Sequence, residues 1–124
     1  MHSPGPPVGT IAIVEDDVAV LNSLEFALRT QGYRVLAFDR ALDALHSQEI
    51  MRADCVLLDY DLPDLDGAAL LCALRSRGLT RPAIFIASTP SQRCRREAQQ
   101  ANAPLIEKPL LGEDLFDQIR SLTG

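Results

Sequence analysis

Four charged residues of this sequence follow short apolar segments, and their types suit metal binding or phosphoryl transfer. Glu15 and Asp16 come directly after one such segment, Asp59 follows a second, and Lys108 follows a third. Three carboxylates at close range repel one another, and a divalent cation that prefers oxygen ligands relieves the repulsion. A carboxylate nucleophile, a metal ion and a lysine together make a site for phosphoryl transfer. This prediction depends on a fold that brings the four residues together.

Short apolar segments alternate with helical patterns from Ile11 onward. The predicted strands are residues 11–14, 33–38, 55–58, 83–87 and 105–107. Apolar residues recur at helical spacing after the strands, as Leu21, Leu24 and Leu28 do after the first. Five strand-then-helix units with short connections predict an α/β fold, a doubly wound five-stranded parallel sheet with helices on both faces. In such sheets the chemistry collects beyond the carboxyl ends of the strands.

Local sequence also predicts where the helices begin and end. Asp39 is the expected N-cap of the second helix, and Thr89 that of the fourth, where Pro90 takes the first helical position. Gly32 and Gly78 are expected to end the first and third helices. The last helix is expected to bury its apolar residues, Leu111, Leu115, Ile119 and Leu122.

The strand ends, taken together, predict a single pocket. If the first and third strands are neighbours, Glu15, Asp16 and Asp59 lie side by side, and Lys108 adds a mobile positive charge at the same edge. Mg²⁺ suits such a site because it needs few protein ligands and keeps waters that a phosphoryl oxygen can replace. Any one carboxylate is equally well explained as a solvated loop residue or a helix cap, and Asp17 is predicted to be a cap. The convergence of three strand ends is what carries the prediction.

These motifs, in this order, resemble the receiver domain of two-component response regulators, and the resemblance covers nearly all of Ile11–Leu122. The segment Val56–Gly67 resembles the phosphoacceptor block of that family: an apolar strand, an Asp, a Pro four residues later, and Asp-Gly beyond. Ile13–Asp16 resembles the acidic pair, and Glu107–Pro109 resembles the lysine–proline end of the fifth strand. The family implies the strand order 2-1-3-4-5.

The resemblance also implies roles for individual residues. Asp59 would accept a phosphoryl group from a histidine kinase or a phosphotransfer protein, and Lys108 would pair with that group. The cofactor would be Mg²⁺, bound directly by Asp16, Asp59 and the backbone carbonyl of Asp61, with Glu15 acting largely through water. A protein of this kind accepts a group and passes on a signal; it is not a turnover enzyme.

The same resemblance makes predictions about the loops of the pocket. Pro63 and Gly67 would shape the loop that follows the phosphoacceptor. Pro109 is expected to follow a cis peptide bond, because cis bonds are largely confined to X–Pro sites. A homodimer through the fourth helix and the fifth strand is a further expectation about partners.

Two positions depart from the family pattern. Receivers carry Thr or Ser at the end of the fourth strand, where this sequence has Ala87, and Tyr or Phe three residues before the lysine, where it has Leu105. Ser88 is adjacent to Ala87 and would supply the hydroxyl if the strand end is bulged. The departures put the switching mechanism in doubt more than the phosphorylation site.

Composition sets the wider limits. The 124 residues suffice for one core, and we expect a receiver domain over residues 11–124 behind a disordered leader, residues 1–10. The net charge of −5 argues against direct nucleic-acid binding, and no apolar run approaches the roughly 18–20 residues of a membrane span. Cys55, Cys72 and Cys94 are scattered, which predicts reduced thiols in a cytoplasmic protein, with the first two in the core.

Two other functions fit parts of the sequence. A receiver-like module that works by protein contact without phosphorylation is favoured by the two departures and opposed by the intact acidic pocket. A haloacid-dehalogenase-like phosphatase fits the segment Asp59-Tyr60-Asp61 after an apolar strand. That family also uses a second acidic pair well downstream of its lysine, and it would leave Glu15 and Asp16 without a role.

Overall fold

The computed structural model describes residues 7–110 and 112–123, in which strands and helices alternate. The strands are β1 (Thr10–Val14), β2 (Arg34–Phe38), β3 (Cys55–Asp59), β4 (Ala83–Ala87) and β5 (Leu105–Glu107). The helices are α1 (Val18–Thr30), α2 (Ala41–His46), α3 (Gly67–Ser76), α4 (Gln92–Gln100) and α5 (Gly112–Thr123), with a short 3₁₀ segment at Glu49–Arg52. No helix of the described residues is long and apolar enough to cross a membrane.

The five strands form one parallel sheet in the order β2-β1-β3-β4-β5, which confirms the predicted fold class and strand order. Val14 pairs with Leu58, so Glu15, which follows β1, and Asp59, the last residue of β3, lie side by side. The ladder between β4 and β5 runs without interruption from Phe85 to Ala87. The carboxyl ends of β1, β3, β4 and β5 therefore lie at the same edge of the sheet.

Each face of the sheet is covered by helices. Because side chains alternate along a strand, Val14, Leu58 and Phe85 pack towards α2, α3 and α4, whereas Ile13 and Leu57 pack towards α1 and α5. All five residues of β3 and of β4 are buried, as expected of strands covered on both sides. The rigid centre of the sheet thus supports the edge where the charged residues lie.

Two of the predicted helix caps are wrong. No side chain of its own N-cap residue caps α2; instead the carboxylate of Asp64 accepts from the N–H groups of Ala41 at 3.2 Å and Leu42 at 3.0 Å. The N-cap of α4 is Ser91, two residues after Thr89, and its hydroxyl accepts from the N–H of Cys94. A carboxylate from a distant loop meets the free N–H groups of α2, so a local cap is not needed there. The predicted cap of α1, Asp17, is confirmed, since it accepts from two N–H groups of the first turn.

Cys72 is exposed, contrary to the prediction that it belongs to the core. At about 100° per residue, the side of α3 that buries Leu70 and Leu74 lies nearly opposite to Cys72. Cys55, by contrast, is buried in β3 as predicted. Burial raises the pKa of its thiol to about 12, so this cysteine is inert.

Some expectations fall on residues outside the described part of the chain. They are the first six residues of the predicted leader and the burial of Leu111. Of the rest of the leader, Val8 donates its N–H to the carbonyl of Gly32, and Thr10 already belongs to β1. Gly32 itself has a φ of 95°, as expected of a residue that ends a helix.

Candidate functional site

The carboxyl ends of β1 and β3 bring three predicted carboxylates together. Glu15 and Asp59 are almost wholly buried, with 1% and 4% of their surfaces exposed, whereas Asp16 is exposed. One carboxylate oxygen from each of the three residues lies within 4.8 Å of the other two. The arrangement is the acidic pocket that the sequence predicts at this edge.

Lys108 enters the same pocket from the end of β5. Its backbone N–H donates to the carbonyl of Ala87 at 2.9 Å, which extends the ladder by one residue and aims the side chain across the edge. The ammonium Nζ lies 2.6 Å from Oε1 of Glu15 and 3.3 Å from Oδ2 of Asp59. The peptide bond between Lys108 and Pro109 is cis, as predicted.

The charges of the pocket are unequally distributed between its two buried carboxyl groups. Burial is the main reason that the pKa of Glu15 is raised to about 8; the neighbouring Asp59 adds to the rise, and Lys108 opposes it. Burial also acts to raise the pKa of Asp59, but the close approach of the Glu15 carboxyl group, the hydrogen bond from the N–H of Asp61 and the ammonium of Lys108 outweigh it and lower the pKa. Asp59 is therefore the ionised member of the pair, the form that a nucleophile requires.

The pocket also fits a hard cation. Within the described residues, Oε2 of Glu15 is buried and has no hydrogen-bond partner. A buried carboxylate oxygen without a partner is costly, and a cation with its bound water would satisfy it. The three possible ligands are all carboxylates, which suits Mg²⁺ or Ca²⁺ better than metals that prefer nitrogen or sulfur.

The loop after β3 is held close to Asp59. The N–H of Asp61 donates to Oδ1 of Asp59 at 3.0 Å, and the N–H of Gly67 donates to the carbonyl of Tyr60 at 3.0 Å. A Cβ on Gly67 would lie 2.6 Å from the carbonyl oxygen of Asp59 and 2.9 Å from the Cα of Tyr60. This close approach explains in physical terms why the sequence places glycine there.

Comparison with known proteins identifies the family. Residues 11–120 match the response regulator receiver domain. This chain belongs to that family. It is 31% identical to the transcriptional regulatory protein PrrA of Mycobacterium tuberculosis and 32% identical to the transcriptional regulatory protein BasR of Escherichia coli, in each case over 113 residues and 90% of this chain. These alignments cover 48% and 51% of the relatives, so the chain spans about half their length.

Solved receiver structures resemble this one over almost their whole length. The CheY-like receiver domain from Methanospirillum hungatei JF-1 has a TM-score of 0.82 and 27% identity, with 91% of both chains covered. A receiver domain from Clostridium thermocellum has a TM-score of 0.86 at 20% identity, with 94% of both chains covered, and shows the fold alone. Receivers are signalling modules of two-component systems.

The two positions where this receiver departs from its family lie in β4 and β5. Ala87 is the last residue of β4 and is 1% exposed, while Leu105 is half-buried and packs on the face that carries α2, α3 and α4. Ser88 is expected to replace the missing hydroxyl only if the end of β4 is bulged. The ladder between β4 and β5 shows no bulge there, so this condition is not met. Ser88 is exposed and lines the groove between α1 and α5, where Lys108 also lies.

Three residues that the sequence analysis did not assign to the site join the loop after β3 to neighbouring helices: Tyr60, Asp64 and Glu97. The hydroxyl of Tyr60 donates to Oε1 of Glu97 at 3.0 Å, which joins the loop to α4. Asp64, in the same loop, caps α2. Tyr60 follows Asp59 directly, and that position is the one signal in the sequence that points to it. Glu97 lies 37 residues further on and carries no such signal.

Proposed function

We propose that Asp59 accepts a phosphoryl group from a histidine kinase or a phosphotransfer protein, with Mg²⁺ bound in the pocket. The observation that carries the proposal is the meeting of Glu15, Asp16 and Lys108 around one buried, ionised Asp59. Membership of the receiver family supports it. The proposal includes the expected cytoplasmic location and a changed contact with a partner after phosphorylation.

The residues of the pocket would share the reaction. A carboxylate oxygen of Asp59 attacks the phosphorus atom, the bond from phosphorus to the donor's imidazole nitrogen breaks, and the nitrogen leaves with the electron pair. Because Asp59 is already ionised, no base has to remove a proton from it first. Lys108 supplies a fixed positive charge where the phosphoryl oxygens would lie.

The proposed metal ligands follow from position and exposure. Asp16 and Asp59 would bind directly, with the backbone carbonyl of Asp61, and Glu15 would act largely through water. The contact of 2.6 Å between Glu15 and Lys108 supports this indirect role, because one oxygen of Glu15 is already engaged. Bound Mg²⁺ offsets the repulsion between the carboxylates and stabilises negative charge on the transferring group.

A second function is favoured by one observation. Ala87 offers no hydroxyl to a phosphoryl group, which suits a module that contacts its partners without being phosphorylated. The two functions differ in a single property, the modification of Asp59. The relatives named as transcriptional regulators are about twice as long as this chain, so the proposal concerns the reaction of the receiver alone.

Phosphorylation is tested by intact mass after incubation with acetyl phosphate. We expect the wild type to gain one phosphoryl group with Mg²⁺ present and none with a chelator, and Asp59→Asn to gain none. Asp61→Asn is the matched control, because it removes an exposed carboxylate two residues away and keeps the backbone carbonyl. Equal phosphorylation of the wild type and Asp59→Asn would contradict the proposal, and no labelling of either would favour the second function.

A further inference from the structure

The helix α4 is lightly attached to the rest of the molecule. Cys94 and Ala98 are the two side chains of α4 that are buried, and both are small. By comparison, α3 buries three leucines. Since attachment by burial scales with the apolar area removed from water, α4 is held more weakly than α3.

A groove next to α4 gives it room to move. The groove lies between α3 and α4 and has a volume of about 360 Å³. Leu71 and Phe85 line it from the core, and Glu97 and Gln100 line it from α4. A helix with few buried side chains beside an open groove can change position without breaking the close packing of the core.

One contact joins this helix to the phosphoacceptor loop. The hydroxyl of Tyr60 donates to Oε1 of Glu97 at 3.0 Å, and the same oxygen accepts from Nε of Arg93 at 2.7 Å. Within the described residues, this is the only hydrogen bond between side chains of the loop and of α4. The ring of Tyr60 also meets the buried ring of Phe85 edge to face, with 6.1 Å between the centroids.

The backbone of Tyr60 is held on both sides. Its N–H donates to the carbonyl of Ile86 at 2.8 Å, and its carbonyl accepts from the N–H of Gly67. On one side it is bonded to Asp59, and on the other to Asp61, whose N–H donates to the Asp59 carboxylate. A change in the charge of the Asp59 carboxylate would alter its hydrogen bond with the N–H of Asp61. Because Tyr60 lies between these two residues, its backbone would shift as well.

We infer that Tyr60 is a positioning residue: through Glu97, its hydroxyl couples the state of Asp59 to the position of α4. Tyr60 is hydrogen-bonded to Ile86, which precedes Ala87 in β4. At Ala87 and Leu105 the sequence lacks the hydroxyl and the ring of the family pattern. The inference rests on the proposed function, since it requires Asp59 to be modified. Burial and the bond to Glu97 raise the pKa of Tyr60 to about 12, so the hydroxyl stays a donor at neutral pH.

The test compares amide spectra with and without beryllofluoride, a mimic of the phosphoryl group on Asp59, added together with Mg²⁺. In Tyr60→Phe we expect the shifts over residues 92–100 to fall to roughly half or less of the wild-type values, because one hydrogen bond is lost. Shifts around Asp59 and Lys108 should persist. Tyr33→Phe is the matched control: it removes the other tyrosine hydroxyl, which has no hydrogen bond to any described residue, and should match the wild type.

Hydrogen exchange in the unmodified protein gives a second measurement. Loss of the bond should speed amide exchange in α4 about five-fold in both Tyr60→Phe and Glu97→Leu. Glu97→Gln keeps an acceptor oxygen and should restore slow exchange, since the exposed ion pair to Arg93 contributes little.

Two results would overturn the inference: equal shifts in α4 for the wild type and Tyr60→Phe, or no shift in α4 in either protein. Labelling by acetyl phosphate, read as intact mass, separates this failure from failure of the proposed function. If Asp59 is labelled and α4 does not depend on Tyr60, the coupling alone is wrong. If Asp59 is not labelled, the proposed function is wrong, and the coupling is wrong with it.

Discussion

Two segments leave the carboxyl edge of the sheet side by side, the loop that follows Asp59 and the segment that leads from β4 into α4. The loop is bonded at both ends and in the middle: to Asp59 through the N–H of Asp61, to α2 through Asp64, and to α3 through Gly67. The helix α4 buries two small side chains and has one side-chain bond to the loop. The first segment is therefore held by more contacts than the second.

Under the proposed function, this difference separates the capture of a phosphoryl group from the response to it. The pocket has the carboxylates and the lysine that its family uses, whereas the end of β4 lacks the usual hydroxyl. That hydroxyl would gain a charge-assisted hydrogen bond only in the phosphorylated state, worth roughly 1.5–3 kcal/mol. Modification shifts an equilibrium only by its differential interaction with the two states, so with Ala87 a large part of the usual driving force is missing.

Removal of a direct metal ligand should have the largest effect, a loss of Mg²⁺ affinity in the pocket. We expect Asp16→Asn to weaken Mg²⁺ binding by at least about ten-fold, because loss of even an outer-shell partner costs 10–100-fold at metal sites. Asp17→Asn should change Mg²⁺ affinity little, since that side chain caps α1. A titration followed by calorimetry measures both. A larger loss in Asp17→Asn than in Asp16→Asn would mean that the acidic pair is assigned one residue out of register.

Gly67→Ala tests how closely the loop must approach the pocket. The added Cβ would overlap the backbone of Asp59 and Tyr60, and we expect a loss of roughly 1–3 kcal/mol in unfolding free energy together with weaker Mg²⁺ binding. Gly78→Ala is the control, since its φ of 106° makes alanine unfavourable by about 1–2 kcal/mol far from the pocket. Denaturant unfolding gives the stabilities. Unchanged Mg²⁺ affinity in Gly67→Ala would show that the loop has more freedom than its contacts indicate.

The anchor between the loop and α2 gives a smaller effect. Asp64→Ala should reduce the unfolding free energy by about 1 kcal/mol, the usual cost of losing a helix cap, and Asp39→Ala by less than about 0.5 kcal/mol. Hydrogen bonds from Leu42 and Ala41 lower the pKa of Asp64. Its contribution is therefore present above the ordinary carboxyl pKa and is lost as the pH falls through the lowered value. The difference between wild type and Asp64→Ala should shrink in acid, and a larger effect of Asp39→Ala would contradict the assignment.

The sheet and the pocket could be predicted because their signals are local. Apolar runs locate β4 and β5 at their observed bounds, and the rule that carboxyl ends of parallel strands share an edge brings Glu15 and Asp59 together. The exposure of Cys72 could also have been predicted, since helical spacing from Leu70 places it on the outer side.

The remaining contacts join segments that are distant in the sequence. The carboxylate that caps α2 comes from Asp64, 23 residues after Ala41, so the nearby Asp39 seemed the natural cap. The bond from Tyr60 to Glu97 depends on how α4 is placed over the loop, which no local pattern encodes. Where a side chain could bond to several partners, the tertiary structure determines which one it contacts. This applies to the residues that connect the pocket to its surroundings.

The separation of capture from response is tested most directly by amide spectra of the wild type and Ala87→Thr, each with and without beryllofluoride and Mg²⁺. We expect strong shifts around Asp59 and Lys108 in both proteins. Over α4 and β5 we expect weak shifts in the wild type, those transmitted through the bond from Tyr60 to Glu97, and clearly larger ones in Ala87→Thr, where the hydroxyl is restored. A large shift across residues 88–110 in the wild type, no greater in Ala87→Thr, would contradict the account and show that Ser88 or another group supplies the missing bond.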